Sequence, residues 1–348
     1  MKPRFIARWA TPAVVAVLAA TSLAGCSTGS TEAKEAPEQK EVAQAEEGAF
    51  PVTIKHSYGE TTVAEEPKRV VTVSWTDQDA VLALGVVPVG AVKLTWGGNA
   101  AGSTDWFDAE LKELDAEQPT RFNYDQALDV DAIAKLSPDV IIAANSGITK
   151  QDYAKLTKIA PTVAPPGAIW VTSWQDSLDI AGQVLGRNKL ADQVEADTNK
   201  AIEEAKAANP DIQGKSVLFS YLNAADLSQV GIYLAEDNRV RILTELGMVS
   251  APAAEKLKGT DPYYAQVSAE RSSELESDVF LTYIEQPTDL ETFKKDKLVG
   301  QIPALKSGNV YGEADKHIGL AITNPSPLSI PYLIEHFLPN VVKAATGS

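Results

Sequence analysis

The chain has few of the residues from which proteins build covalent cross-links and metal sites. It contains one cysteine and three histidines among 348 residues. A single cysteine excludes a disulfide within the chain, so the fold has to rest on its hydrophobic core. His56, His317 and His336 are widely spaced and show no ligand-like pairing, whereas zinc and manganese sites usually draw on clustered histidines and carboxylates. We therefore expect no protein-held metal ion and no cofactor.

Basic residues are also scarce. The 31 lysines and arginines face 47 aspartates and glutamates, which gives a formal net charge of −16. Nucleic-acid binding needs basic patches, so this balance argues against it. The hydrophobic content of 44% is ample for real cores and is not typical of a disordered chain. The length suggests one or two folded domains.

The N-terminus has the pattern of a secretory signal. Lys2, Arg4 and Arg8 form a positive region, residues 10–20 are apolar, and Leu23-Ala24-Gly25-Cys26 places small residues ahead of the cysteine. This order predicts a signal peptide over residues 1–25. Its removal leaves 28 basic against 47 acidic residues, a net charge of −19.

The only cysteine of the chain stands at the predicted cleavage point. The stretch resembles the lipobox of bacterial lipoproteins, which implies lipidation of Cys26 and attachment to the extracellular face of a cell membrane, as in a single-membrane bacterium. Acyl chains contribute ~0.8 kcal/mol per buried CH₂, enough for two or more to hold a protein on a bilayer. The alternative is an ordinary secretory signal with an incidental cysteine. After Cys26, no apolar run approaches the ~20 residues of a spanning helix.

Residues 26–48 are predicted to be a flexible acidic linker. Positions 27–48 hold six glutamates, two lysines and almost nothing large and apolar. Such a segment cannot bury enough surface to offset its ordering entropy. An acidic binding tail is the less favoured alternative.

Strand and helix patterns alternate over residues 49–171, which predicts an α/β lobe with a mainly parallel sheet. Strands are predicted at 69–74, 86–92 and 139–144. Helices are predicted from Thr76, ending at Gly85, over 130–136 behind the capping residue Asp129, and over 150–159. Asn145 then follows a strand at the carboxyl end, where open α/β sheets bind ligands.

Residues 172–209 break the alternation. They show only helical periodicity, which predicts a shorter helix followed by a long one over about 188–208. The alternation resumes in residues 210–348, with strands predicted at 216–222, 278–284 and 310–311 and helices at 237–246 and 329–337. Two α/β lobes joined by a helical connection are therefore predicted. A single continuous sheet is the alternative and would need a 38-residue helical excursion.

From about Phe50 onward, five sequence blocks resemble the iron–siderophore substrate-binding lipoproteins of ABC importers, the class III group with a helical backbone. The blocks are Glu66–Val71, Ala83–Gly90, Val130–Ile142, Leu156–Val163 and Ile302–Tyr311. The resemblance implies two Rossmann-like lobes joined by a long rigid helix, with a ligand cleft between them. It also implies a ferric siderophore as ligand and an ABC permease in the membrane as partner. The same fold also binds haem or cobalamin, which we keep as an alternative.

A siderophore saturates ferric iron with its own oxygens, so its binder needs aromatic walls and a few polar or cationic groups. We expect aromatic, arginine and asparagine side chains at strand ends and loops of both lobes to supply them. These candidates are Trp75, Trp96, Trp106, Arg121, Asn145, Tyr221, Tyr233, Arg239 and Tyr283. For each aromatic residue the alternative is ordinary packing, and for each arginine it is a routine surface ion pair.

Two acidic residues are candidates for docking to the permease. Members of the family present one carboxylate on each lobe to it, and Asp131 and Glu270 match those positions. Aspartate at 131 is one methylene shorter than the glutamate usual there. Both are expected to be exposed in first helical turns, where the helix dipole also favours negative charge.

The sequence favours a monomeric binding protein over the other classes. An anchored extracellular hydrolase would need a nucleophile and a base in support. No Gly-x-Ser-x-Gly, Gly-rich phosphate loop or His-Glu-x-x-His motif occurs. A surface adhesion or scaffold protein would instead spread its aromatic residues over an outer face.

Overall fold

The computed structural model describes residues 44–257 and 261–347. The strands are β1 Val52–His56, β2 Gly59–Val63, β3 Val70–Thr72, β4 Gly90–Val92, β5 Thr120–Phe122, β6 Val140–Ile142, β7 Thr162–Val163, β8 Ser216–Asn223, β9 Asp226–Tyr233, β10 Val249–Ser250, β11 Tyr264–Ser268, β12 Val279–Tyr283 and β13 Val310–Glu313. The α-helices are α1 Asp77–Ala83, α2 Asp105–Glu113, α3 Val130–Lys135, α4 Lys150–Leu156, α5 Trp174–Leu185, α6 Asn188–Ala208, α7 Asn238–Glu245, α8 Pro252–Glu255, α9 Asp289–Lys295, α10 Pro303–Ser307, α11 Lys316–Thr323, α12 Ser329–His336 and α13 Leu338–Thr346. Short 3₁₀ turns cover Pro210–Ile212, Ala269–Glu274 and Val299–Gln301.

The first lobe is built on a parallel sheet with the strand order β5-β4-β3-β6-β7. Val71 on the central strand β3 pairs with Gly90 on one side and Ile141 on the other. Strands β3 and β6 are buried along their whole length, as expected for a parallel sheet covered on both faces. The predicted strand 86–92 was wrong in length, because only Gly90–Val92 pairs.

The helix ends of this lobe follow the local sequence. The Asp129 carboxylate accepts a hydrogen bond from the backbone N–H of Ala132 at 2.9 Å and so caps α3, as predicted. Gly85 has φ +73°, directly after the end of α1. A residue with a side chain is strained in this left-handed conformation, so glycine ends the helix there.

The second lobe has a sheet of the order β11-β9-β8-β12-β13, with β10 beside β8. Strands β8, β12 and β13 are parallel, whereas β9 and β11 run antiparallel to their neighbours. The antiparallel half was not predicted. The two separate sheets exclude the single continuous sheet.

Helices α5 and α6 connect the lobes and lie within the predicted segment 172–209. Helix α5 packs on α1 and β1 of the first lobe, and α6 packs on α7 and α12 of the second. One hydrophobic cluster runs from Leu82 through Leu185 to Phe337 and so includes both lobes. The lobes therefore share a core on the side of the connection. Among the described residues, no helix is both long and apolar enough to cross a membrane.

The described chain begins at the junction of α5 and α6. The backbone N–H of Glu46 donates to the carbonyl of Gly186 at 2.7 Å, and the Glu46 carboxylate accepts from the backbone N–H of Lys189 at 2.6 Å. These bonds lie inside the segment predicted as linker, so the folded body starts before residue 48. Cys26 and the predicted signal peptide lie outside the described residues.

Candidate functional site

A cavity of about 490 Å³ lies between the two lobes. The first lobe contributes residues that follow strands β3, β6 and β7, and the second lobe contributes residues from β8, β9, β11, α7 and α11. The lining residues are Trp75, Asn145, Trp170, Tyr221, Tyr233, Asp237, Asn238, Arg239, Tyr263, Tyr264, Thr323 and Asn324. Five of them, Trp75, Asn145, Tyr221, Tyr233 and Arg239, are residues predicted from the sequence.

The first lobe presents a polar group beside an indole. Trp75 and Asn145 follow adjacent parallel strands, whose carboxyl ends meet at one edge of the sheet. The backbone N–H of Asn145 donates to the Asp77 carboxylate at 3.1 Å, and its Nδ2 donates to Thr76 Oγ1 at 3.2 Å. The side-chain oxygen Oδ1 is buried and has no hydrogen-bond partner among residues 44–257 and 261–347. Two hydrogen bonds thus fix Asn145 in place, and its side-chain oxygen remains available as an acceptor.

Trp170 forms the part of the wall that the sequence did not predict. Its backbone has φ +64°, which is rare for a bulky residue, and its indole lies over Gly147. A β-carbon at position 147 would stand 2.3 Å from Cζ2 of the indole. Trp170 is 36% exposed, so its ring faces the cavity and solvent together. Because the residue stands in an irregular loop without periodicity, only its size and its place after a strand could have singled it out.

Arg239 is the cationic centre of the cavity. Its Nη1 donates to the Asp237 carboxylate at 2.7 Å and its Nε donates to the Tyr283 hydroxyl at 2.9 Å. The guanidinium carbon lies 3.9 Å from the centre of the Tyr233 ring, a cation–π contact. Burial alone would lower the pKa of Arg239, but the carboxylate of Asp237, together with Tyr283 and Tyr233, more than offsets this and raises it. Arg239 is therefore charged, and Asp237 balances its charge.

A chain of hydroxyl groups holds this arginine. The Tyr283 hydroxyl lies 2.6 Å from Thr323 Oγ1, which donates to the carbonyl of Gly319 at 2.7 Å. Since Tyr283 already accepts from Arg239, its own proton points to Thr323. Tyr283 itself does not line the cavity but fixes the guanidinium plane from behind. Trp96 packs edge-on against Tyr283, with 5.5 Å between ring centres, and lies one layer further away.

The structure does not bring the other two candidates to the cavity wall. Trp106 is buried between the lobes, where its Nε1 donates to Asp79 at 2.8 Å. Arg121 donates to Ser103 Oγ at 2.8 Å and to the carbonyl of Val92 at 3.2 Å, inside the first lobe. Burial lowers the pKa of Arg121 to about 10. The expectation that both residues lie in loops was wrong, because Trp106 lies in the first turn of α2 and Arg121 lies on β5.

Two buried carboxyl groups stand behind the first-lobe wall. Burial raises the pKa of Asp77 to about 6 and that of Asp79 to about 7. The Asp77 carboxylate accepts a hydrogen bond from the backbone N–H of Asn145. Asp77 therefore supports the wall of the cavity without lining it.

The docking candidates lie on the surface. Asp131 is exposed in the first turn of α3, and Glu270 is exposed in the 3₁₀ turn that follows β11. Within the described part of the chain, no group of three or more His, Cys, Asp or Glu side chains is placed to hold a metal ion.

This two-lobed cavity has counterparts in known proteins. The sequence profile of a family described as "Periplasmic binding protein" matches residues 70–315, which include both sheets and the helical connection. The chain belongs to this family. The matched segment contains all lining residues of the cavity except Thr323 and Asn324.

Several known proteins are similar to this chain in sequence or structure. The crystal structure of PiaA from Streptococcus pneumoniae TIGR4 in complex with ferrichrome has a TM-score of 0.80 and 36% identity, over 85% of this chain and 99% of that chain. A periplasmic solute binding protein from Mycobacterium smegmatis has a TM-score of 0.69 and 28% identity, over 84% and 98%. The "Probable siderophore-binding lipoprotein YfiY" of Bacillus subtilis is 28% identical over 271 residues, 74% of this chain and 79% of the relative. The predicted fold class is thereby confirmed.

Proposed function

We propose that this protein captures a ferric siderophore in the cavity between its lobes and delivers it to the permease of an ABC importer. The observation that carries the proposal is an aromatic cavity whose one cation is already balanced. Six of the lining residues are aromatic: Trp75, Trp170, Tyr221, Tyr233, Tyr263 and Tyr264. Such a cavity suits an organic iron complex that brings its own iron ligands.

The charge of the cavity favours a neutral complex. Of the described residues that line it, Asp237 and Arg239 are the only acidic and basic ones, and they form one ion pair. Ferric trihydroxamates such as ferrichrome are neutral, whereas ferric citrate and ferric catecholates are anionic. An anionic complex entering this cavity would meet no excess positive charge to offset its desolvation. The cargo we propose is therefore a ferric hydroxamate.

Similar proteins support this cargo class. PiaA has been crystallised with ferrichrome, and a relative 25% identical over 182 residues is named an "Iron(3+)-hydroxamate-binding protein", YxeB of Bacillus subtilis. Other relatives are named for ferric citrate and ferric enterobactin. Fold and family alone are thus compatible with several siderophores, and the balance of charge in the cavity supports our proposal of a hydroxamate.

A hydrolase is not supported by the cavity. Its described lining contains no histidine, since His56 lies in the β1–β2 hairpin and His317 and His336 lie on α11 and α12. Histidine is the usual base beside a hydroxyl nucleophile. We propose a binding protein without catalytic activity.

Attachment and delivery complete the proposal. Lipidation at Cys26 keeps the protein at the extracellular face of the membrane, and Asp131 and Glu270 present one carboxylate from each lobe to the permease. Both carboxylates are exposed, as a docking contact requires. We propose that the protein acts as a monomer.

Fluorescence titration tests the cargo. Trp75 and Trp170 line the cavity, so we expect ferrichrome to quench tryptophan emission with sub-micromolar affinity. Ferric citrate and ferric enterobactin should bind at least ten times more weakly, which is about 1.4 kcal/mol. Iron-free ferrichrome, haem and cobalamin serve as comparisons. A response to haem or cobalamin with none to any ferric siderophore would contradict the proposal.

A further inference from the structure

One carboxylate oxygen joins the two lobes beside the cavity. Oδ2 of Asp79, on α1 of the first lobe, accepts from Trp106 Nε1 at 2.8 Å and from Ser326 Oγ at 2.7 Å. Ser326 belongs to the second lobe and is separated from Asp79 by 247 positions. Asp79 and Ser326 are each 2% exposed and Trp106 is 8% exposed. We call these three residues the interlobe clasp.

Further contacts hold Ser326 and Trp106 in place. The backbone N–H of Ser329 donates to Ser326 Oγ at 3.0 Å, and that of Ser326 donates to Ser329 Oγ at 2.8 Å. This reciprocal pair leaves the Ser326 hydroxyl proton to point at Asp79. The Trp106 indole packs against His317 and Tyr332 of the second lobe, with ring centres 4.8 and 5.3 Å apart. A shift of one lobe would therefore break these hydrogen bonds, and burial would keep water from replacing them.

The clasp lies next to both polar sides of the cavity. Asp77, two residues before Asp79 on the same helix, accepts from the backbone N–H of Asn145. Asn324, two residues before Ser326, lines the opposite side. We propose that the interlobe clasp sets the separation of the lobes at this end of the cavity, and that Asp79 is the positioning residue on which it depends. This inference concerns the protein without ligand and does not rest on the identity of the cargo.

Protonation of Asp79 stabilises the closed clasp. Burial raises its pKa to about 7, while in an opened clasp water would return it to its ordinary value near 4. The closed clasp is thus most stable below about pH 4 and loses stability as the pH rises to about 7. The charged and titratable groups around it are Asp77 on α1 and Arg121 on β5, with His317 and Tyr332 against Trp106.

Distances between spin labels on the two lobes test the clasp. Lys135→Cys on α3 and Lys295→Cys on α9 place labels at exposed positions, in the full chain with Cys26→Ser. For Ser326→Ala without ligand, we expect roughly a tenfold larger share of wide distances than in the parent, equivalent to about 1.4 kcal/mol. Ser220→Ala is the matched control, because Ser220 is also buried in the second lobe but donates within it, to the carbonyl of Leu281.

Asp79→Asn separates a positioning role from a general loss of packing. The amide oxygen of this variant can still accept from Trp106 and Ser326. We therefore expect the distances that the parent shows at pH 5, and we expect them to be independent of pH. The parent protein should show a larger share of wide distances at pH 8 than at pH 5. The inference is overturned if Ser326→Ala behaves like Ser220→Ala. It is equally overturned if the distances of Asp79→Asn keep the pH dependence of the parent.

Discussion

The indole of Trp170 lies directly on Gly147, so that the smallest side chain at 147 would occupy the position of the ring. Gly147 follows β6 and Trp170 follows β7, and these neighbouring strands bring the two residues together. The absence of a β-carbon on one residue thus determines where the aromatic wall formed by the other can stand.

Replacing Gly147 by alanine should therefore weaken binding without unfolding the protein. The new β-carbon displaces the indole, which is partly exposed and can swing outward. We expect the affinity for ferrichrome to fall roughly tenfold, the scale of a lost aromatic contact, with a thermal midpoint close to that of the parent. Gly167→Ala is the control, since its β-carbon would meet nothing within 4 Å. Equal affinities in the two variants would contradict this role of Trp170.

Removing the charge of Asp237 should change selectivity. In Asp237→Asn, the side chain can still cap α7 by accepting from the backbone N–H of Arg239, but the charge of Arg239 is no longer balanced. We expect the affinity for ferric citrate to rise roughly tenfold and that for ferrichrome to change little, measured by the same titration.

The neighbouring carboxylate offers a matched control for that change. Glu236→Gln removes the same charge from an exposed residue that pairs with Arg241 and does not line the cavity. Its affinity for ferric citrate should equal that of the parent. A similar gain in both variants would mean that the overall charge of the protein, rather than the pair in the cavity, governs selectivity.

Stability should depend on pH through Asp77. Its pKa is raised to about 6 by burial, against about 4 in the unfolded chain. The folded protein therefore binds the proton more tightly, so the contribution of Asp77 is fully present below about pH 4 and is lost as the pH rises to about 6. In Asp77→Asn this loss is absent. Relative to the parent, the variant should gain on the order of 2 kcal/mol in unfolding free energy between pH 4.5 and pH 8.

Urea unfolding at the two pH values measures this difference. Asp211→Asn, at an exposed position in the turn after α6, is the control and should show no such relative gain. A parallel pH profile for Asp77→Asn and the parent would show that the carboxyl does not titrate in this range.

Asp131 and Glu270 should each contribute to docking to the permease. Single exposed ion pairs contribute about 0–1 kcal/mol, so each alanine variant should reduce iron uptake by cells only a few-fold, and the double variant roughly tenfold. Ferrichrome binding in solution should be unchanged in all three. Asp192→Ala, exposed on the connecting helix α6, is the control. Loss of binding in solution would contradict a docking role.

Local signals predicted much of the fold. The cap Asp129, the stop at Gly85 and the periodicity of 188–208 all correspond to observed helix limits. Buried parallel strands such as β6 were recognisable as short apolar runs. By contrast, β9 has the polar start Asp226-Leu227-Ser228-Gln229 and joins β8 through a turn without glycine, so neither alternation nor turn chemistry identified the hairpin.

The cavity was predictable where strand ends determine it. Trp75 and Asn145 follow the adjacent parallel strands β3 and β6, and topology carries such positions to one edge of the sheet. Trp106 and Trp170 could not be assigned in this way. The position of Trp106 depends on a partner far along the chain, and Trp170 lies in an irregular loop. For Trp106 that partner is Asp79, whose burial no local pattern indicates.

The contacts of Glu46 have a mechanical consequence. The chain enters the folded body through bonds to Gly186 and Lys189, at the junction of the two connecting helices and not at the outer end of either lobe. A pull from the N-terminus therefore acts on the helical connection between the lobes and has little leverage to part them. With the proposed anchor at Cys26, we expect the folded body to respond to such a pull as one piece, so that the cavity keeps its shape.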